Sequence, residues 1–202
     1  MKKKQAILAA ATRLFSEKGF KETRMSEISK MTGAAEGTIF YHFKSKEELF
    51  LEILKNFKED IIKEFTNYSD TNSFENGIEM AENVISFYLY LAGSMEERFL
   101  LLHRHDAYEL AEVNSRCREY LEAIYNCFVD LLEQAIVEGQ KDGTIGKISA
   151  RKTAMILYAM VDALVRFNTY RLYDGGTLYG DLMGACRRIL KSDTNCGNRG
   201  KA

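Results

Sequence analysis

The sequence predicts an all-α fold, with an N-terminal three-helix unit over residues 1–46 and a larger helical unit over 47–202. Three observations lead there. The 202 residues include no proline, where ordinary usage of about 5% would supply roughly ten; a turn-rich β architecture would use that residue and a long helix would exclude it. Apolar residues recur every three or four positions over long stretches, with few alternating β-branched runs. Residues 23–46, TRMSEISKMTGAAEGTIFYHFKSK, carry two short helical patterns on either side of a glycine, which is the layout of a helix-turn-helix.

The first helix is predicted from about Lys3 to Lys18, with Ile7, Ala10, Ala11, Leu14 and Phe15 as its apolar stripe. Gly19 ends it, and Phe20 folds back onto its end. Thr23 and Arg24 bracket the start of the second helix, Glu27 suits its positive end, and Gly33 stops it. Met25, Ile28, Ser29 and Met31 give its apolar or small positions. In the third helix Ile39 and Phe43 are four apart and point inward. Thr38, Tyr41 and His42 then fall on other faces of the same two turns, within reach of phosphates and base edges.

From Lys46 a long helix reads through Leu49, Phe50, Ile53, Leu54, Phe57, Ile61 and Phe65, roughly 30 Å at ~1.5 Å per residue. The polar cluster TNYSDTNS at 66–73 is predicted to end it. A further helix covers Phe74 to Leu91 and is broken by Ala92-Gly93; Ser94-Met95-Glu96-Glu97 then has capping-box spacing and opens a helix toward His103–Tyr108. A second long amphipathic helix spans about Asn114 to Glu138, with Leu121, Ile124, Phe128, Leu132 and Ile136 on one side, and stops in EGQKDGTIGK. Ser149 can cap the next helix, whose stretch from Ala154 to Val165 is apolar on nearly every face and must be covered on two sides. One side can pack on its own domain; the other calls for a second copy of the chain. The last helix, Thr177 to Lys191, carries Gly180 and Gly184 four apart, which lets another backbone approach. A homodimer through the last two helices, about 149–191, is therefore predicted, with 193–202 as a disordered tail.

Charge is distributed unevenly. Residues 1–46 hold ten Lys or Arg against four Glu, whereas the remainder carries 18 basic against 25 acidic residues, so only the N-terminal end suits a polyanion. Lys2, Lys3, Lys4, Arg24, Lys44 and Lys46 can neutralise phosphates, and Lys46 opens a helix whose free amides add partial positive charge.

The order Gly33, then Thr38-Ile39-Phe40-Tyr41-His42-Phe43, then Ser45-Lys46 resembles the signature of the tetracycline-repressor (TetR) family of bacterial transcription regulators, over about residues 5–54. The resemblance implies a repressor that binds double-stranded operator DNA as a dimer and is released by a small ligand. It places Thr38, Tyr41, His42 and Lys46 on positions that touch mostly the DNA backbone, and Ser26, Glu36 and Gly37 on positions that can approach bases. Two departures stand out: the family usually has Thr or Ser at Arg24, and Lys, Arg or Gln at Glu36. Glu36 either favours the helix start or accepts a hydrogen bond from cytosine N4.

Aromatics over the rest of the chain are core residues first. Phe87, Phe99, Tyr108, Tyr120, Tyr125, Phe128 and Tyr158, with His103, are also candidates to line a site for a small hydrophobic or aromatic ligand. A ligand that prefers one spacing of two reading heads would act by population shift through the long helix. The alternative is a DNA-binding adaptor governed by a protein partner, or by thiol oxidation at Cys117 or Cys127. Cys117, Cys127, Cys186 and Cys196 show no CxxC or zinc spacing. His103 and His105 would project about 200° apart on a helix, while His105 and Glu109 share a face; neither a metal site nor a cofactor is predicted. Nucleophile elbow, phosphate loop, HExxH and dinucleotide patterns are all missing, so no enzyme is predicted. The AILAAA run after three lysines ends at Thr12-Arg13, short of an export core, and no stretch approaches the ~18 to 20 apolar residues of a membrane span. A cytoplasmic protein without membrane association is the expectation.

Overall fold

A computed structural model of the chain describes residues 2–191; the predicted tail and Cys196 lie outside the described residues. The fold is all-α, as predicted. Its order is α1 (Lys2–Lys18), α2 (Met25–Thr32), α3 (Glu36–His42), α4 (Lys46–Thr71), α5 (Gly77–Ser94), α6 (Glu96–Leu102), α7 (His105–Val113), α8 (Ser115–Asp142), α9 (Ala150–Thr169), a 3₁₀ turn (Gly175–Leu178) and α10 (Tyr179–Lys191). Among the described residues these elements form two compact units, the first made of 2–64 with Met95–Ile124, the second of Phe65–Ser94 with 125–191. The boundaries fall within α4 and α8, so each of these helices contributes to both units.

In the first unit α1 buries the predicted Ile7, Ala10, Ala11, Leu14 and Phe15 and packs against α2, α3 and α6. Phe20 does fold back: its ring meets Phe15 and Phe50 edge-on at 5.5 and 5.1 Å. Ile28, Ile39 and Phe43 are buried and anchor the two short helices. Further along, Phe57 and Phe99 pack edge-on at 5.3 Å.

In the second unit the start of α5 crosses the last turns of α8. A Cβ placed on Gly77 would lie 2.0 Å from the Gly139 nitrogen, so the backbones themselves touch. The Gly77 amide donates to Asp142 Oδ2 at 2.7 Å, closing the crossing with a hydrogen bond. α9 packs on α5 and α10.

Several predicted boundaries are corrected. α4 continues through TNYSD to Thr71 because nothing in that cluster forbids helix, and Tyr68 stacks on Phe87 at 4.0 Å, so its last turns gain a packed face. α5 starts at Gly77, not Phe74: Asn76 Oδ1 accepts the Glu79 amide (2.9 Å) while Glu79 Oε2 accepts that of Glu75 (2.7 Å), a reciprocal cap that fixes the start. It also runs through Ala92-Gly93, where burial of Leu91 and Ala92 offsets the ~1 kcal/mol a helical glycine costs. The Ser94 hydroxyl donates back to the Leu91 carbonyl at 3.1 Å, so the predicted capping box does not form and α6 begins after an uncapped Met95. The single helix expected up to Tyr108 is split at His103-Arg104, with Arg104 extended at φ −74°, ψ 144°. Gly139 lies inside α8 as a packing glycine, and the helix ends only after Asp142, before Gly143 at φ 81°. Ser149 occupies the position before α9 but makes no side-chain cap. Thr177 belongs to the 3₁₀ turn, and α10 starts at Tyr179.

Candidate nucleic-acid interface

The start of α2 is set by a buried threonine. The Thr23 hydroxyl donates to the carbonyls of Gly19 (2.8 Å) and Leu14 (3.2 Å), tying the turn to α1. Arg24 holds the N-cap position without an acceptor to cap with, and the Glu27 carboxylate supplies the cap instead by accepting the Arg24 amide at 2.9 Å. Glu27 also pairs with Lys18. The Arg24 amide first, then the Lys18 ammonium, hold its carboxyl below the ordinary value of 4.5.

The turn between α2 and α3 relies on Gly33 at φ 68°, the left-handed region. The Ser29 hydroxyl donates to the Ala34 carbonyl at 2.7 Å, and the Ala34 amide donates to Thr32 Oγ1 at 3.3 Å. Ser29 is thus a turn pin as well as a small residue of the inner face.

α3 stands on the fully buried Ile39 and presents its other faces outward. Tyr41 is 85% exposed, an uncommon state for a large aromatic that no partner covers. Arg24, Ser26, Glu36, Gly37 and Lys44 are exposed, and Thr38, His42 and Lys46 half-buried. A Cβ on Gly37 would meet nothing within 4 Å, so packing inside the chain does not call for a glycine there. Glu36 lies in the first turn of α3 and makes no ion pair among the described residues; its charge suits a helix start.

The predicted cations divide into two groups. Lys2, Lys3, Arg24 and Lys44 are exposed. Lys4 pairs with Glu52 at 2.8 Å. Lys46, expected to turn its ammonium to phosphate, turns it inward: Nζ donates to the carbonyls of Phe20 (2.8 Å), Thr23 (3.1 Å) and Lys21 (3.2 Å) and sits 4.6 Å from the centre of the Phe20 ring. Three N–H donors meet three carbonyls of the α1–α2 turn, which leaves no donor for an outside anion. What Lys46 can still offer is the positive end of α4. That end is closed by Ser45, whose Oγ accepts the Glu48 amide (3.0 Å), while Glu48 accepts that of Lys44 (2.9 Å); a serine three residues before a glutamate is the sequence signature of that cap.

Two residues outside the predicted set hold this surface from behind. Arg104 donates to the carbonyls of Ser16 and Glu17, and Asp106 accepts the Phe20 amide. No local pattern marks them, because their role depends on partners about ninety positions away.

The eight predicted ligand-lining residues divide four and four between the units. Phe99, His103, Tyr108 and Tyr120 belong to the first, where Phe99 is fully buried against Phe57 and the Lys58 Nζ sits 5.2 Å from the Tyr120 ring. Phe87, Tyr125, Phe128 and Tyr158 belong to the second, and three of them join Tyr88 in a cluster: Tyr88–Phe128 4.5 Å, Phe128–Tyr158 5.5 Å and Tyr125–Tyr158 5.7 Å between centroids. The Tyr88 hydroxyl donates to Asp162 Oδ1 at 2.7 Å inside it. Burial, with Tyr158 and Asp162 beside it, pushes the Tyr88 phenol well above its ordinary 10, so it remains a donor. Burial likewise pushes the thiols of Cys117, Cys127 and Cys186 up to about 11; as neutral thiols they are poor redox sensors. His105 pairs with Glu109 at 3.5 Å, and Glu109 is also bound by Lys21 at 2.7 Å.

Residues 7–53 match the family model for bacterial regulatory proteins of the tetR family. That segment is of the TetR family. It is 27% identical over 164 residues to the HTH-type transcriptional regulator YhgD of Bacillus subtilis, covering 81% of this chain and 82% of that one. The fatty acid metabolism regulator protein of the same organism is 24% identical over 160 residues, 79% of each chain. Among solved structures, the FadR regulator of Bacillus subtilis in complex with stearoyl-CoA superposes with a TM-score of 0.71 at 21% identity, covering 92% of this chain and 97% of the other; that likeness concerns the fold. No helix among the described residues is long and apolar enough to cross a membrane.

Proposed function

We propose that this TetR-family regulator is a repressor that binds operator DNA as a dimer and lets go when a small hydrophobic ligand binds. The observation that carries the proposal is the outward face of α3, where Tyr41 is 85% exposed beside Thr38 and a glycine, Gly37, that the protein's own packing does not require. Thr38, Tyr41, His42, Lys44 and the start of α4 at Lys46 take the phosphates, Arg24 adds a cation, and Ser26, Glu36 and Gly37 approach the bases. DNA reading is assigned to residues 1–46, and ligand binding and dimerisation to 47–202. This division of roles is distinct from the packing units.

A second copy is the proposed cover for α9 and α10. Met155 and Ile156 are each 55% exposed on a 20-residue helix, an arrangement that a symmetric partner would bury. For the ligand, the aromatic cluster around Phe128 and Tyr158 supports an apolar molecule, and relatives named for fatty acid metabolism support a long acyl chain. Thiol oxidation is disfavoured because Cys117 is buried and Cys127 half-buried, and desolvation keeps both thiols neutral.

The test is a gel shift with the DNA just upstream of the chain's own coding region, repeated with long-chain acyl-CoA. A salt-sensitive complex that dissolves on adding acyl-CoA supports the proposal. Binding indifferent to salt would contradict the phosphate contacts, and a complex that survives every hydrophobic ligand would favour regulation by a protein partner.

A further inference from the structure

The α1–α2 turn is gripped from two sides. From α4, the Lys46 ammonium binds three of its carbonyls. From the α6–α7 junction, Arg104 donates through Nε to the Ser16 carbonyl (2.7 Å) and through Nη2 to that of Glu17 (2.5 Å), while Asp106 Oδ2 accepts the Phe20 amide at 3.0 Å. The two carbonyls lie in the last turn of α1, where a helix leaves acceptors without amide partners, and a guanidinium is a strong donor to them. Gly19, between the gripped groups, has φ +98°, and a Cβ there would stand 2.9 Å from Asp106 Oδ2 and 3.4 Å from Arg104 Nη1. The glycine therefore serves both the left-handed turn and the approach of the two side chains. Arg104 is itself the extended residue joining α6 to α7, so any change in the angle between these helices displaces the guanidinium.

We infer that Arg104 and Asp106 are positioning residues for DNA reading: from the α6–α7 junction they set the pose of the α1–α2 turn, and through it α2 and α3. The inference rests on the DNA-binding reading above. It gives a displacement of α6 or α7 a route to the reading helices that does not run along α4.

The test uses the full-length chain with Arg104→Met, which keeps the apolar stem, and Asp106→Ala, with Asp106→Asn as the conservative variant that retains an acceptor for the Phe20 amide. Well below each variant's unfolding temperature, operator affinity is expected to fall roughly tenfold or more for the first two, and to recover in Asp106→Asn. The slope of log K against log salt stays at the native value, because no phosphate contact is lost. In the DNA-free protein, amide exchange in α2 and α3 speeds up for Arg104→Met and Asp106→Ala. Unchanged exchange there, or affinity within twofold of native, would overturn the inference, as would a reduced salt slope, which would make Arg104 a phosphate contact. If the native chain binds no duplex, the DNA-binding reading fails, and the exchange measurement alone decides whether the junction positions these helices. Should Arg104→Met fail to fold, Arg104→Lys, which keeps one donor, takes its place.

Discussion

Two helical glycines stand in opposite surroundings. Gly77, where α5 crosses α8, has no room for a side chain, whereas Gly37, on the outer face of α3, has open space where a Cβ would stand. The chain's own packing dictates the first identity and does not dictate the second. The same contrast separates the aromatics of the two regions: Phe128 is 1% exposed among other rings, and Tyr41 is 85% exposed with only His42 beside it. Residues fixed by the interior can thus be told from those that are not by asking what a change at each would displace within the chain.

The largest expected effect is at the crossing. In Gly77→Ala the new Cβ would stand 2.0 Å from one backbone nitrogen and 2.5 Å from the Ala135 carbonyl oxygen, and backbone cannot yield as a side chain does. Overpacking of that kind costs roughly 3 kcal/mol or more, read as a lower denaturant midpoint. A midpoint equal to the native one would show that α5 and α8 can part without penalty. Tyr88→Phe comes next: it keeps the ring but leaves the buried Asp162 without the 2.7 Å donor, a loss of about 2 kcal/mol. Equal stability would mean that water or another donor replaces the hydroxyl.

How far the sequence foretold the molecule follows the same line. The stripe of α1, the inward Ile39 and Phe43, the turn at Gly33 and the all-helical class were legible, because each rests on spacing or on a local backbone demand. Phe20 folding back was legible too. Lys46 was misjudged because its partners, three carbonyls of the α1–α2 turn, lie 23 to 26 positions earlier and no spacing rule links them. Gly139 reads as a helix stop, yet α8 runs past it to Asp142, and a Cβ there would stand 2.5 Å from the Ile145 side chain, which folds back from beyond the helix end. Ser94 matched a capping pattern, yet its hydroxyl found the Leu91 carbonyl first. Motifs are visible locally; the competition among partners is settled by tertiary contacts.

Gly37→Ala tests the other half of the comparison, with a smaller effect. Alanine fits the open space and removes a helix-destabilising residue, so stability should rise by about 0.5–1 kcal/mol. If the proposed approach of Gly37 to the bases holds, the methyl enters that space and DNA affinity falls roughly tenfold, or about 1.4 kcal/mol. Stability and affinity moving in opposite directions is the signature of an identity chosen by a partner. If affinity is unchanged, Gly37 does not approach the DNA closely.

The smallest effect is one of pH, and it reaches both regions. Glu27 caps α2, and Asp142 binds the Gly77 amide at the crossing; both carboxyls are held below their ordinary values, Glu27 by the Arg24 amide and then Lys18, Asp142 by the Thr144 hydroxyl and then the Gly77 and Thr144 amides. A depressed folded-state value means that the folded chain releases the proton more readily than the unfolded one. Each contribution is therefore complete above the ordinary values of 4.5 and 3.8 and is lost as pH falls through the lower folded values. Asp142 is exposed and Glu27 half-buried at the surface, so added salt should weaken the part due to Lys18 and leave the amide bonds to Asp142 largely untouched. In melting curves between pH 2 and 6, Glu27→Gln should flatten the acid limb at low salt more than at high salt, while Asp142→Asn should flatten it equally in both. If the two variants share one salt dependence, the distinction drawn between an ion-paired cap and an amide-bound carboxylate fails.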